Sequence, residues 1–186
     1  MTPRHRKKPP LLWLMTDERI ETAALLAAAD RLPRGKAGIV FRHYRTPAGK
    51  RRALFARLAA IARRRRLLLL LGGGAREAVA WKADGWHGRG ERGRSAGRPM
   101  IHSAPAHDAK EIKAARRGGA DLVFLSPLFH TRSHPGARTL GRVRFAALAR
   151  EAAMPVIALG GVGRHHRRGL KALGASGWAA IDGLSR

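Results

Sequence analysis

The sequence predicts an α/β fold, a compact (β/α)8 barrel of the TIM type, and three observations carry that expectation. Short apolar runs alternate with segments of helical period, and there are eight such runs in 186 residues. Runs such as Leu67–Leu71 are apolar at every position, as strands of a parallel sheet buried on both faces are. A short turn recurs ahead of the fourth, sixth and eighth runs: Ala83-Asp84-Gly85, Gly119-Ala120-Asp121 and Gly174-Ala175-Ser176-Gly177. Where that turn begins with glycine, the residue can end a helix in a left-handed conformation, and the short polar residue then closes the loop. An open doubly wound sheet is the competing arrangement; repeated βα units numbering eight favour closure.

Leu11–Thr16 opens the series, with Asp17-Glu18 behind it as a capping aspartate and a first-turn acid. Gly38–Arg42 is the second run. The helix after it places Leu54, Leu58, Ile61 and Ala62 on one face. Leu67–Leu71 and Gly85–His87 follow. Trp86–Pro99 is rich in Gly and Arg and has no helical period, so the fourth unit is expected to be shortened, with a loop in place of its helix. Met100–Ser103 comes fifth, and His107-Asp108 stands ahead of a helix over Lys110–Arg117. Between Leu122–Ser126 and Val156–Leu159, a helix carries Phe145, Leu148, Ala149 and Ala152 on one face. Trp178–Ile181 is the last run, and the sequence ends three residues after Gly183, so the C-terminal helix is expected to be truncated. Barrels of this kind usually take ~250 residues, so the expected architecture is a trimmed one. Residues 1–10 read as a basic N-terminal extension and 11–186 as a single domain. Trp13, Trp81, Trp86 and Trp178 fall in strands or helices and read as core.

Composition excludes several classes. Hydrophobic residues make up 45% of the chain, too many for a disordered basic tail despite the net charge of +26. The absence of cysteine excludes a disulfide scaffold, a thiolate zinc site and a cysteine nucleophile. No apolar run approaches the ~20 residues of a membrane span. Leu11–Met15 is too short for a signal peptide, so a cytoplasmic protein is expected. The bases are scattered (Arg4 to Lys8, Lys50-Arg51-Arg52, Arg63 to Arg66, Arg116-Arg117, Arg167-Arg168), and aromatic residues are only 5% of the chain. This reads as a solvated arginine-rich shell with nonspecific affinity for polyanions at low salt.

In a βα barrel, chemistry sits at the carboxyl ends of the strands. Gly160-Gly161 follows the seventh run and opens toward a helix, where free N–H groups and the helix dipole favour a phosphate. Ser126-Pro-Leu-Phe-His-Thr-Arg-Ser-His134 follows the sixth and gathers hydroxyls, arginine and histidine, a set suited to phosphate or pyrophosphate. His87 ends a strand as either a buried core histidine or a catalytic one, and His107 reads as part of a helix cap. His165-His166 lacks a third ligand for a metal.

Taken with Leu12-Trp-Leu-Met-Thr-Asp17, Ala83-Asp-Gly-Trp-His87, His107-Asp-Ala-Lys-Glu111 and Pro155-Val-Ile-Ala-Leu-Gly-Gly161, these motifs resemble the thiamine phosphate synthase and TenI family of βα barrels from residue 11 onward. The resemblance implies a transferase of thiamine biosynthesis. It would join hydroxymethylpyrimidine pyrophosphate to thiazole phosphate, giving thiamine phosphate and pyrophosphate, with Mg²⁺ as cofactor. It further implies that Arg42 contacts pyrophosphate and that Thr131 and Ser133 are the hydroxyls of the phosphate loop, with Arg132 between them. His134 stands in a lysine position and, with Arg42, is a candidate for catalysis. Gly160 and Gly161 would receive the thiazole phosphate, beside Gly183.

The sequence also departs from the family pattern. Val40 and Tyr44 replace a glutamine and a lysine, Asp182 replaces a hydroxyl, and Gly72-Gly73 replaces an Asn-Asp that supplies a magnesium carboxylate. The second metal aspartate aligns near Arg92, leaving Glu91 as the candidate metal ligand. Arg42, Arg89, Arg92 and Arg132 could together stand in for metal charge. Two alternatives accompany this reading. One is a TenI-type thiazole tautomerase, whose catalytic histidine would fall at Pro127; the other is a non-catalytic sensor or carrier of a phosphorylated ligand.

Overall fold

The computed structural model describes residues 9–90, 100–131, 136 and 138–181. Eight strands form a closed barrel in sequence order: β1 (Leu12–Met15), β2 (Ala37–Phe41), β3 (Leu68–Gly72), β4 (Gly85–His87), β5 (Ile101–Ala106), β6 (Leu122–Leu125), β7 (Val156–Ala158) and β8 (Gly177–Ala180). All neighbours are parallel, and β8 closes on β1 through Leu12↔Trp178 and Leu14↔Ala180. The barrel expected from the sequence is therefore present, with strand limits shifted by a residue or so, the fifth by three at its end. The open sheet is excluded.

Outside the strands lie α1 (Thr22–Arg31), α2 (Ala48–Arg65), α3 (Ala75–Ala80), α4 (Ala109–Arg117), α5 (Gly141–Glu151) and α6 (Arg167–Leu170). Residues 88–90 after β4 carry no helix, and 91–99 lie outside the described residues, as do 1–8 and 182–186. None of the described helices is long and apolar enough to cross a membrane.

Strand alternation divides the core into an inner and an outer layer. Trp13, Met15, Val40, Leu70, Leu122, Phe124, Ile157 and Ala179 fill the barrel, with Trp13 set edge-on to Phe124 at 5.5 Å between ring centroids. Their neighbours Leu14, Ile39, Phe41, Leu69 and Leu71 point outward under α1 and α2. Trp13 fills so much of the interior that a Cβ on Gly38 would stand 2.3 Å from its ring, so β2 needs glycine there. On α2 the buried stripe is Leu54, Phe55, Leu58 and Ala62, with Ile61 only half-buried. Trp81, read as core, is half-buried between the guanidinium groups of Arg51 and Arg52.

The recurring turn has a mechanical role. The Asp84 carboxylate accepts the Leu69 N–H at 2.9 Å, and Asp121 accepts that of His102 at 2.8 Å, so each pins the preceding strand at the base of the barrel. Gly119 (φ 71°) and Gly174 (φ 82°) are left-handed as expected, and before β4 the same conformation falls to Lys82 (φ 56°). Two capping expectations divide. Asp108 caps α4 through the Glu111 N–H at 2.8 Å. Asp17 does not cap α1: the helix starts later, and Glu21 takes the role by accepting the Ala24 N–H at 2.9 Å.

Candidate active site at the barrel mouth

Parallel closure brings all eight strand ends to one face, and a cavity of about 450 Å³ opens there beside β1 and β2. Thr16, Asp17, Glu18, Arg19, Arg42, Tyr44 and Arg45 line it. Arg42 follows β2 directly. Its backbone N–H donates to Thr16 Oγ1 at 2.9 Å and its Nε to the Thr16 carbonyl at 3.1 Å. The stem is thus fixed by fully buried Thr16, while the two terminal nitrogens have no partner among the described residues. Burial lowers the Arg42 pKa from its ordinary value, which measures how much water the guanidinium has lost. A partly desolvated guanidinium fork at a cavity wall is a strong receptor for a phosphoryl oxygen.

Of the other charged side chains of the cavity, Asp17 and Arg19 engage each other, while Arg45 is exposed and is held through its backbone N–H. Arg19 grips Asp17 with Nε at 2.8 Å and Nη2 at 2.6 Å, and these contacts hold the Asp17 carboxyl at about 2. Glu18 accepts the Arg45 N–H at 2.6 Å. His43, stacked on Phe41, lies 3.0 Å from Thr16 Oγ1, and burial lowers its pKa.

His87 is the buried alternative of the two readings given to it. Ser103 Oγ donates to the Trp86 carbonyl at 3.3 Å and lies 3.0 Å from His87 Nδ1. A hydroxyl has one hydrogen, so Nδ1–H is the donor to Ser103 and the lone pair sits on Nε2. Complete burial first, then the positive charge of Arg42, pushes His87 down to about 3, so the ring is neutral. His107 is bound to Glu111 through its ring at 2.7 Å, in keeping with a role at the α4 cap.

At the end of β3, Gly72 and Gly73 leave room that other elements fill. A Cβ on Gly72 would stand 2.7 Å from both the Tyr44 hydroxyl and the Phe41 carbonyl oxygen, and one on Gly73 would stand 2.9 Å from Glu77 Oε2. Glu77 Oε1 is paired with Arg51 Nη1, and Arg51 Nη2 donates to the Gly72 carbonyl at 2.8 Å. The carboxylate and carbonyl that a Mg²⁺ would seek at this strand end are already held by a guanidinium. Among the described residues no group of three His, Asp or Glu is arranged to hold a metal. At the end of β3 the described residues thus offer the magnesium site that the resemblance implies only a carboxylate already paired with Arg51, and Glu91, the candidate ligand, lies outside the described residues.

The β6–β7 side is built differently. Gly160 (φ 90°) packs on Pro127, and Gly161 (φ 63°) lies so close to the next loop that a Cβ would stand 2.3 Å from the His130 carbonyl oxygen. Beyond the glycines come a 3₁₀ turn over Arg164–His166 and the four-residue α6, so the helix dipole expected there is small. Thr131 is half-buried at the end of the β6 loop. Neither it nor the glycines line the cavity that Arg42 faces. Arg132, Ser133, His134, Glu91, Arg92, Asp182 and Gly183 lie outside the described residues. Arg89, counted among the mouth arginines, is tied to Glu111 at 2.5 Å. Thr16, Arg51 and Glu77 escape sequence reasoning, because their partners lie 26 residues away in the chain and meet them only when the barrel closes.

The family model for thiamine monophosphate synthase matches residues 12–184. The chain belongs to that family. Among its relatives, "Putative thiamine-phosphate synthase 2" of Aquifex aeolicus is 40% identical over 57 residues, 31% of this chain and 31% of that protein. The chain thus spans less than a third of that relative in the match. The thiamine-phosphate synthase of Chlorobium phaeobacteroides is 28% identical over 185 residues, 95% of this chain and 89% of that protein. Among solved structures, thiamine phosphate pyrophosphorylase from Pyrococcus furiosus superposes with a TM-score of 0.74 over 94% of this chain and 87% of the other, at 22% identity. That likeness is one of fold. Membership of the thiamine monophosphate synthase family agrees with the resemblance drawn from the motifs.

Proposed function

We propose that the chain joins hydroxymethylpyrimidine pyrophosphate to thiazole phosphate, forming thiamine phosphate and releasing pyrophosphate. The observation that carries this reading is Arg42: its Nε is anchored on Thr16, and its terminal nitrogens are unengaged at the wall of a 450 Å³ cavity. Family membership supplies the substrates, since the matching relatives bear the synthase name. In the reaction, the bond between the pyrimidine methylene carbon and the pyrophosphate oxygen breaks, and the electron pair leaves with pyrophosphate. The thiazole nitrogen lone pair then forms the new C–N bond. No proton need move, so the protein's task is electrostatic. Arg42 stabilises charge growing on the departing oxygens, and neutral His87 beneath it adds no competing cation. No step is routed through a metal, because at the end of β3 Arg51 holds Glu77 Oε1 and the Gly72 carbonyl.

The departures at β3 favour a second reading, a binder of phosphorylated ligand without turnover: Gly72-Gly73 lacks the family's Asn-Asp, and Tyr44 fills the space beside Gly72. A tautomerase is disfavoured, as Pro127 offers no proton-transfer group and packs on Gly160. The deciding experiment incubates the purified chain with both substrates, with and without EDTA, and measures thiamine phosphate. Turnover that persists in EDTA is expected. Strict Mg²⁺ dependence contradicts the metal-free reading, and saturable thiazole phosphate binding without product selects the binder.

A further inference from the structure

Of the basic runs that look scattered in the sequence, Arg63 to Arg66 and Arg116-Arg117 fall at helix C-termini, at the end of the barrel opposite the mouth. Helices of a parallel βα barrel run against the strands, so their C-termini and the loops into the next strand share the base. The densest corner lies where α1 and α2 end. Arg31, Arg34, Lys36, Arg63, Arg64 and Arg66 are exposed there and Arg65 is half-buried, with Asp30 the one acid among seven bases. The corner is held together by its backbone. The Gly35 N–H donates to the Arg65 carbonyl at 2.9 Å, and the Arg65 guanidinium donates to the Leu32 carbonyl at 2.6 Å.

Stabilisation of helix ends does not account for this number. One cation in the last turn of each helix answers the macrodipole, yet Arg34 and Lys36 belong to no helix. Arg66 sits past α2 at φ 55°, a left-handed position that ordinarily favours glycine. At the mouth, by contrast, Asp17, Glu77 and Glu111 are each paired with an arginine. At the base, Asp30 takes Arg64 and Arg65, while Arg31, Arg34, Lys36, Arg63 and Arg66 have no acidic partner among the described residues. Asp84 and Asp121, the acids nearest the neighbouring base loops, turn their carboxylates to strand amides.

We propose that this α1–α2 corner is a docking surface for the phosphodiester backbone of a nucleic acid, separate from the reaction at the mouth. The five bases of this corner that Asp30 does not engage match a run of phosphates and release the counterions condensed on them. No aromatic residue lies between Asp30 and Lys36 or between Arg63 and Arg66, so these two stretches carry no base-stacking side chain and the contact reads backbone rather than sequence. Leu32, Ala37, Ala62 and Leu67 are buried, and Leu11, exposed beside Lys36 at the start of β1, is a single apolar side chain, too little to hold a lipid surface.

The test compares the wild type with R31Q/R34Q/K36Q/R63Q and with a charge-matched control at the other end, R76Q/K110Q/K113Q/R144Q. Binding to a 30-base-pair DNA duplex and to a single-stranded RNA of equal length is titrated between 50 and 200 mM salt, with anionic phospholipid vesicles as a third arm. The corner variant is expected to lose at least about 30-fold in affinity at 100 mM salt, and its slope of log K against log salt to fall by about 3 to 4. The control is expected to change less than about threefold. Replacing the same four positions with lysine, Lys36 being unchanged, retains the charge and is expected to restore the slope. Equal losses in both quadruple variants, no loss in either, or vesicle binding that exceeds nucleic-acid binding would overturn the proposal. Circular dichroism confirms that each variant is folded, and thiamine phosphate formation in the corner variant is expected to be unchanged.

Discussion

The ends of β2 and β3 are neighbours in the barrel, yet they use arginine in opposite ways. After β2, Arg42 is fixed at Nε by a backbone carbonyl, and its fork meets a cavity. Beside β3, Arg51 is borne by α2 and closes on Glu77 of α3 and the Gly72 carbonyl, lying against the rings of Phe41 and Trp81. The first arrangement leaves charge for a ligand. The second consumes charge within the protein and fills the space left by two glycines. A cation at a barrel mouth is thus available to a ligand only when its anchor leaves its terminal donors unengaged.

Three substitutions break or sharpen this contrast. The largest effect is expected from Arg42→Ala, which removes the ligand-facing fork: kcat/KM should fall by about 100-fold or more. Stability, followed by a denaturant melt, should change by no more than about 1 kcal/mol, because one hydrogen bond to Thr16 is lost. Next, Gly72→Ala places a methyl 2.7 Å from the Tyr44 hydroxyl and the Phe41 carbonyl oxygen. It should destabilise the chain by about 1–3 kcal/mol, and a neutral result would mean that the β3 end is not filled. The third effect concerns acid stability and is confined to low pH. His87 has its pKa lowered to about 3 from an ordinary value of 6.5, so the unfolded chain takes up this proton first. Its contribution to stability is complete above about pH 6.5 and is lost as pH falls toward about 3. His87→Gln should flatten the pH dependence of the unfolding free energy across that window.

Sequence reasoning recovers the barrel because its signals are local. Each apolar run is continuous, and the left-handed glycines at 119 and 174 mark helix ends without reference to the rest of the chain. Arg42 is legible for the same reason, as a basic residue at the end of a strand. The fate of Asp17 is not, because the choice between Asp17 and Glu21 as helix cap depends on a turn that places Asp17 beside Arg19 in the cavity. Nor is the filling of the β3 end legible: Tyr44, Arg51 and Glu77 come from three segments whose meeting follows from closure. The basic corner is hidden in the same manner, since α1 and α2 end side by side only in three dimensions.

Calorimetric titration of inorganic pyrophosphate, without metal, into wild type, Arg42→Ala and Arg51→Gln tests the account most directly. Saturable binding is expected in the wild type and in Arg51→Gln, with affinity at least about tenfold weaker in Arg42→Ala. Equal affinity in wild type and Arg42→Ala, or binding lost instead with Arg51, would contradict it.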